Sequence, residues 1–116
     1  MAKLLDRTEP KRVLKHCEVM GLDVRSIASC LAVHPKTIQR WQEGTAEPNE
    51  AGLRVLDKLE TISKVAARLL KRDALKTWFQ SPNETLGGGR PIELLARGEL
   101  DQVRNVLGML EWGIHS

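Results

Sequence analysis

Apolar residues recur every three or four positions along almost the whole chain, and Pro, Gly, Asp and Asn interrupt them. That rhythm predicts an all-α protein. Pro10 opens a first helix with Val13, Leu14, Cys17 and Met20 on one face; Thr8 is placed to cap it and Gly21 to stop it. Asp23 caps a second helix carrying Val24, Ile27, Ala28 and Leu31. After a turn over Ala32, Val33 and His34, Pro35 begins a third helix with Ile38 and Trp41 inward, ending at Gly44. Thr45 to Pro48 connect to a long helix that Asn49 caps and that runs to about Leu70.

Val55, Leu59, Ile62, Ala66 and Leu69 follow each other on that helix in alternating steps of four and three. This makes a stripe for packing against another helix. Leu53, Leu56 and Val65 widen it beyond one seam, which predicts a homodimer built on the long helix and the C-terminal helices. The helix resumes through Phe79 after a break near Lys71 to Asp73, and Ser81 to Arg90 read as a loop. Pro91 opens a short helix through Leu94 and Leu95 that Gly98 ends. A last helix carries Leu100, Val103, Leu107 and Leu110 and stops near Gly113. No strand pattern, repeat or low-complexity tract is visible, and the natural division falls near residue 48.

The 116 residues suit one compact domain, or two small helical units sharing a core. The hydrophobic share of 41% excludes intrinsic disorder. The longest unbroken apolar run, Cys30 to Val33, is far too short to span a membrane, and the charged start MAKLLDRTEP does not read as a secretory signal. A cytoplasmic protein is the expectation. Three Trp, one Phe and no Tyr are too few for a β-sandwich or for base-stacking platforms. Residues 1–41 hold eight basic and four acidic side chains, whereas residues 42–116 hold ten and eleven. The positive excess at the N-terminal end is compatible with nucleic acid, but on charge alone an ordinary solvated surface is the plainer reading.

Val24 to Glu43 sharpen that picture. With Val24 as the first place, Ile27, Ala28, Leu31, Val33, Ile38 and Trp41 fall fourth, fifth, eighth, tenth, fifteenth and eighteenth. Two helices joined by a tight turn need apolar residues at those places, and a small one at the fifth so that they approach closely. The pattern resembles the helix-turn-helix of the Xre and Cro-like DNA-binding proteins. One departure is Ala32 at the ninth place, usually Gly in that family; Ala in a left-handed turn costs about 1 kcal/mol. The outward residues Lys36, Thr37, Gln39 and Arg40, with His34 at the helix start and Arg25 on the preceding helix, are types that reach base edges and phosphates. A helical hairpin with a polar outer face that binds nothing is the plainer alternative.

The C-terminal half is more distinctive. Trp78-Phe79 close a helix, Ser81-Pro82-Asn83 follow, then LGGGRPIELL over 86–95, and Glu111-Trp112-Gly113-Ile114 near the chain end. Gly87, Gly88 and Gly89 allow the loop to fold back before Pro91 restarts a helix. No Gly-Lys-Ser/Thr follows, so they are not a P-loop. Arg90 suits a phosphate or carboxylate, or a carbonyl of its own loop. Trp112 either packs back onto its own core or joins Ile114, His115 and Ser116 in a surface for a partner.

The order of these motifs looks like the C-terminal toxin-binding domain of the Xre/MbcA/ParS antitoxins. Ala96-Arg97-Gly98-Glu99 depart from the acidic turn often found there. The resemblance implies a helix-turn-helix DNA-binding region over 1–48 and a connecting helix with a toxin-binding, dimerising domain over 49–116. It implies an antitoxin that occludes the cleft of a RES-type, NAD-targeting toxin, with Arg90, Trp112, Gly113, Ile114, His115 and Ser116 as contacts, and that binds operator DNA to repress its own operon. A dimeric transcription regulator without a toxin partner is the alternative. Neither reading needs a cofactor. His16, His34 and His115 have no zinc-site spacing with Cys17 and Cys30, and the cysteines lie on apolar faces where thiols are inert. A non-enzyme is therefore expected.

Overall fold

The computed structural model describes residues 9–113, and within them every regular element is helical. In chain order these are α1 (Pro10–Met20), α2 (Val24–Leu31), α3 (Pro35–Glu43), α4 (Glu50–Leu69), α5 (Arg72–Gln80), a 3₁₀ turn (Glu84–Leu86), α6 (Pro91–Ala96) and α7 (Leu100–Glu111). The all-α expectation holds. The expected cap Thr8 lies outside the described residues; Glu9 occupies the N-cap position of α1 and makes no side-chain cap bond.

Caps set the other boundaries. Asp23 Oδ1 accepts from the Ser26 amide at 2.8 Å, and Asn49 Oδ1 accepts from the Gly52 amide at 2.8 Å. Three helices end in the same motif. Leu22 N donates to Cys17 O, Val33 N to Ala28 O and Thr45 N to Arg40 O, each at 2.9 Å. The residue before each donor is left-handed: Gly21, Ala32 and Gly44. α4 ends at Leu69, within a residue of the expected end, because Leu70 and Lys71 are extended and break the helix before α5.

α4 is the axis of the molecule. α1 packs along it on one side and α7 on another, while α1 also touches α3 and α5. α2 packs on α3 and on α6, so the N-terminal helices and the C-terminal ones share a single core. Val13 and Cys17 of α1, Ile38 of α3, Leu56 and Leu59 of α4, Phe79 of α5, Leu95 of α6 and Leu107 of α7 are all fully buried within it. The width of the α4 stripe is thus used inside the chain: Leu56, Leu59, Ile62, Val65 and Ala66 are buried, and Val55 and Leu69 only partly. That width is accounted for without a second copy. Cys17 and Cys30 are buried free thiols, and burial pushes them up to about 12 and about 11. No helix of the described residues is long and apolar enough to cross a membrane.

Candidate functional site

Two surfaces collect the residues singled out by sequence. The first is the outer face of α2 and α3. Ile27, Ala28, Ile38 and Trp41 are buried between these helices and the core, and Leu31 and Val33 are partly buried. Ala28, the small fifth place, is 2% exposed. Ala32 is left-handed at φ 57° and ψ 44°, and it is the one non-glycine with positive φ among the described residues. Arg25, Lys36, Gln39 and Arg40 are exposed, and Thr37 is half-buried beside Arg40. His34 is also exposed, but its Nδ1 accepts from the Lys36 amide at 3.0 Å and so caps α3. That bond fixes the ring beside the first turn and leaves Nε2 as the atom open to a partner. A groove of about 430 Å³ runs behind Arg40, between Leu31, Val33, Trp41, Pro48 and Val55.

The second surface lies at the far end of the chain. The 81–90 loop is organised by Asn83, whose role the sequence reading missed. Asn83 Oδ1 accepts from Thr85 N at 3.0 Å, its carbonyl accepts from Gly88 N at 2.9 Å, and its amide donates to Gly89 O at 3.0 Å. Gly87 and Gly88 take φ of +69° and +87°, as a folded-back loop requires. Gly89 serves differently: a Cβ there would meet Leu94 Cδ1 at 3.0 Å. Arg90 follows, exposed, and its guanidinium pairs with Glu93 Oε2 at 2.9 Å while its amide donates to Glu93 Oε1 at 3.2 Å. Glu93 accordingly sits below the usual carboxylate range. Of the sequence alternatives for Arg90, the side chain holds a carboxylate rather than a loop carbonyl. That carboxylate belongs to the start of its own helix, so a partner must compete for the guanidinium.

Trp112 is 81% exposed, so it does not pack back onto its core. Gly113 follows in a left-handed turn at φ 75°. Ile114, His115 and Ser116 lie outside the described residues. One turn before Trp112, Val106, Met109 and Leu110 form one wall of a groove of about 300 Å³, with Trp78, Pro82 and Asn83 opposite. Trp78 is held edge-on to Phe79, ring centroids 4.9 Å apart. The Val103, Val106, Met109 spacing signals this second apolar face of α7, beside the Leu100, Val103, Leu107 stripe. Arg90 and Trp112 thus belong to one half of the molecule, on different elements, and the α2–α3 residues form a separate face.

Elsewhere, the sequence reading missed a paired carboxylate. Glu60 of α4 is 6% exposed, and Arg12 Nε of α1 donates to its Oε2 at 2.7 Å. The signal is a Glu in register with buried Leu56 and Ser63.

Comparison with known proteins shows what this chain is similar to. Residues 66–113 match the antitoxin Xre/MbcA/ParS C-terminal toxin-binding domain. That span holds both the glycine loop and Trp112. The mycobacterial cidal antitoxin MbcA of Mycobacterium tuberculosis, like that of Mycobacterium bovis, is 26% identical over 97 residues, covering 84% of this chain and 86% of the relative. A probable mycobacterial cidal antitoxin of M. tuberculosis is 24% identical over 106 residues, 90% of either chain. The fold also matches a chain in the crystal structure of the M. tuberculosis MbcT–MbcA toxin–antitoxin complex, with a TM-score of 0.71 at 24% identity over 92% of this chain and 96% of that one. Over most of its length the chain is therefore homologous to antitoxins of toxin–antitoxin pairs.

Proposed function

We propose that this chain is the antitoxin of a toxin–antitoxin pair, and that it neutralises an NAD-targeting RES-domain toxin by occluding its active-site cleft with the chain end. The observation that carries this reading is Trp112, 81% exposed at the end of α7 and inside the span that matches the toxin-binding domain. A large apolar side chain is costly to leave in water, and such exposed residues mark contact sites when other apolar surface adjoins them. The groove between Trp78 and Met109 supplies that adjoining surface. Gly113, Ile114, His115 and Ser116 continue from Trp112 into the cleft, and Arg90 gives a bidentate contact to a toxin carboxylate when Glu93 releases it.

DNA binding is the second half of the proposal. Lys36, Thr37, Gln39 and Arg40, with Arg25 and the free Nε2 of His34, contact operator DNA, and the chain represses its own operon. Gln pairs with adenine, Arg with guanine, and Lys and Thr with phosphates. A homodimer suits a palindromic operator. Co-expression tests the antitoxin reading. The expected outcome is that the toxin encoded beside this chain arrests growth when expressed alone and that co-expressing this chain restores growth. Continued arrest with both proteins present at equal levels refutes it.

A further inference from the structure

Positive charge in the C-terminal half is concentrated in one segment. Residues 64–76 hold Lys64, Arg68, Lys71, Arg72 and Lys76 against Asp73 alone, although residues 42–116 as a whole carry one more acidic than basic side chain. All five cations are exposed. Arg68 is paired with Glu111, whereas Lys71, Arg72 and Lys76 make no ion pair among the described residues. An unneutralised cluster of this kind is a surface for anions.

Its place in the fold says which anion. On α5, Arg72, Lys76 and Gln80 are spaced four apart and share one flank of the helix, beside the buried Leu75 and Phe79. Lys76 and Gln80 meet the turn between α1 and α2, with Arg72 one turn further along α5: a Cβ on Gly21 would lie 3.1 Å from Gln80 Nε2 and 3.2 Å from Lys76 Cγ. Gly21 stands two residues before the N-cap of α2, and Arg25 is exposed on the first turn of that helix. In a helix-turn-helix the second helix enters the major groove and the first crosses the sugar–phosphate backbone. Side chains bordering the start of α2 therefore stand beside phosphates. Two exposed carboxylates flank this turn, Glu18 on the last turn of α1 and Asp23 at the N-cap of α2; Asp23 keeps its charge while accepting from the Ser26 amide, so the contact to phosphate falls to the cations of α5 and to Arg25.

From this juxtaposition we propose that Arg72, Lys76 and Gln80 form a phosphate-backbone contact, so that α5 of the C-terminal half extends the DNA footprint of α2 and α3. The inference rests on the DNA-binding reading above. It makes the segment that follows the long helix part of the DNA surface, and it ties the toxin-binding half to the operator through one rigid core.

Fluorescence anisotropy with mixed-sequence duplex DNA tests it, because phosphate contacts are independent of sequence. The full chain is compared with Arg72→Ala/Lys76→Ala and with Arg40→Ala across about 50–200 mM salt. The double variant is expected to bind about five- to tenfold more weakly for each contact removed at about 0.1 M salt. The slope of log K against log salt should be shallower by about one for each contact. The loss is the same on a duplex from upstream of the chain's own reading frame. Both residues are exposed, and an unchanged thermal midpoint checks the fold. An unchanged salt slope in the double variant, while Arg40→Ala weakens binding to the upstream duplex, overturns the α5 contact and leaves the DNA reading standing. No binding by the wild-type chain to any duplex at low salt overturns both. Loss of toxin inhibition with DNA binding intact shows that the patch serves an acidic protein surface, and also overturns it.

Discussion

Replacing Ala32 by Gly is expected to stabilise the chain, and the structure sets the size of the effect. Ala32 holds φ 57° and ψ 44° at the end of α2, with Val33 N donating to Ala28 O and Ala32 N to Ser29 O. An L-residue in this region carries about 1–2 kcal/mol of strain that glycine lacks. Glycine in turn loses about 0.4–1 kcal/mol more through the entropy of the unfolded chain. Ala32 is exposed, so little packing is lost. The net gain is about 0.5–1 kcal/mol, or roughly 2–4 °C in thermal midpoint for a chain of this length. The same motif supplies the reverse experiment. Gly44 ends α3 at φ 80°, and a Cβ there meets nothing closer than Lys11 Nζ at 3.7 Å. Gly44→Ala therefore introduces the strain without a clash and should cost about as much as Ala32→Gly gains. Thermal unfolding followed by circular dichroism at equal protein concentration measures both. A lowered midpoint for Ala32→Gly, or a raised one for Gly44→Ala, refutes the reasoning.

The remaining predictions concern charge, DNA and assembly. Arg12 holds the Glu60 carboxylate below its usual range, mainly through the hydrogen bond between them, with Lys64 and His16 adding favourable charge. A depressed carboxylate stabilises the fold above its unfolded pKa of about 4.3 and loses that contribution as pH falls through the lower folded value. The advantage of wild type over Glu60→Gln in thermal midpoint should therefore shrink as pH drops from about 5 to about 3; a constant difference contradicts it. Arg40→Ala should weaken binding to the upstream duplex by about 1–3 kcal/mol if Arg40 reads a base, measured against a duplex of scrambled sequence. Sedimentation of the free chain at micromolar concentration should give a dimer; a strictly monomeric species counts against the assembly proposed.

Much of the fold was legible because the signals were local. Proline at helix starts, glycine at helix ends and Asx caps each act within a few residues, and α1 to α3 begin and end where those signals stand. The left-handed Ala32 was legible through the helix-turn-helix resemblance, in which Ala32 stands at the ninth place, usually Gly. Long-range matters were not. The α4 stripe gives its width but not its partners: α1 and α7 of the same chain cover it, so the proposed dimer is built on other surface. The pairing of Arg12 with Glu60 joins residues 48 apart, and no local pattern contains it. At the candidate site, Arg90 and Trp112 could each be singled out by type, but whether each faces inward or outward depends on packing. The Arg90–Glu93 pair and the exposure of Trp112 are tertiary facts.

NAD consumption by the partner toxin tests the central claim most directly. The toxin is assayed alone, with the full chain, and with a chain lacking residues 113–116. Those residues follow the last helix; the last fully buried side chain before them, Leu107, lies more than a turn earlier and Leu110 is only partly buried, so helical content and duplex binding serve as controls for an intact fold. The account predicts strong inhibition by the full chain and recovered NAD consumption with the truncated one, both controls being unchanged. Equal inhibition by the two chains would contradict it, and would move the toxin contact to the surface around Arg90 and the groove between Trp78 and Met109.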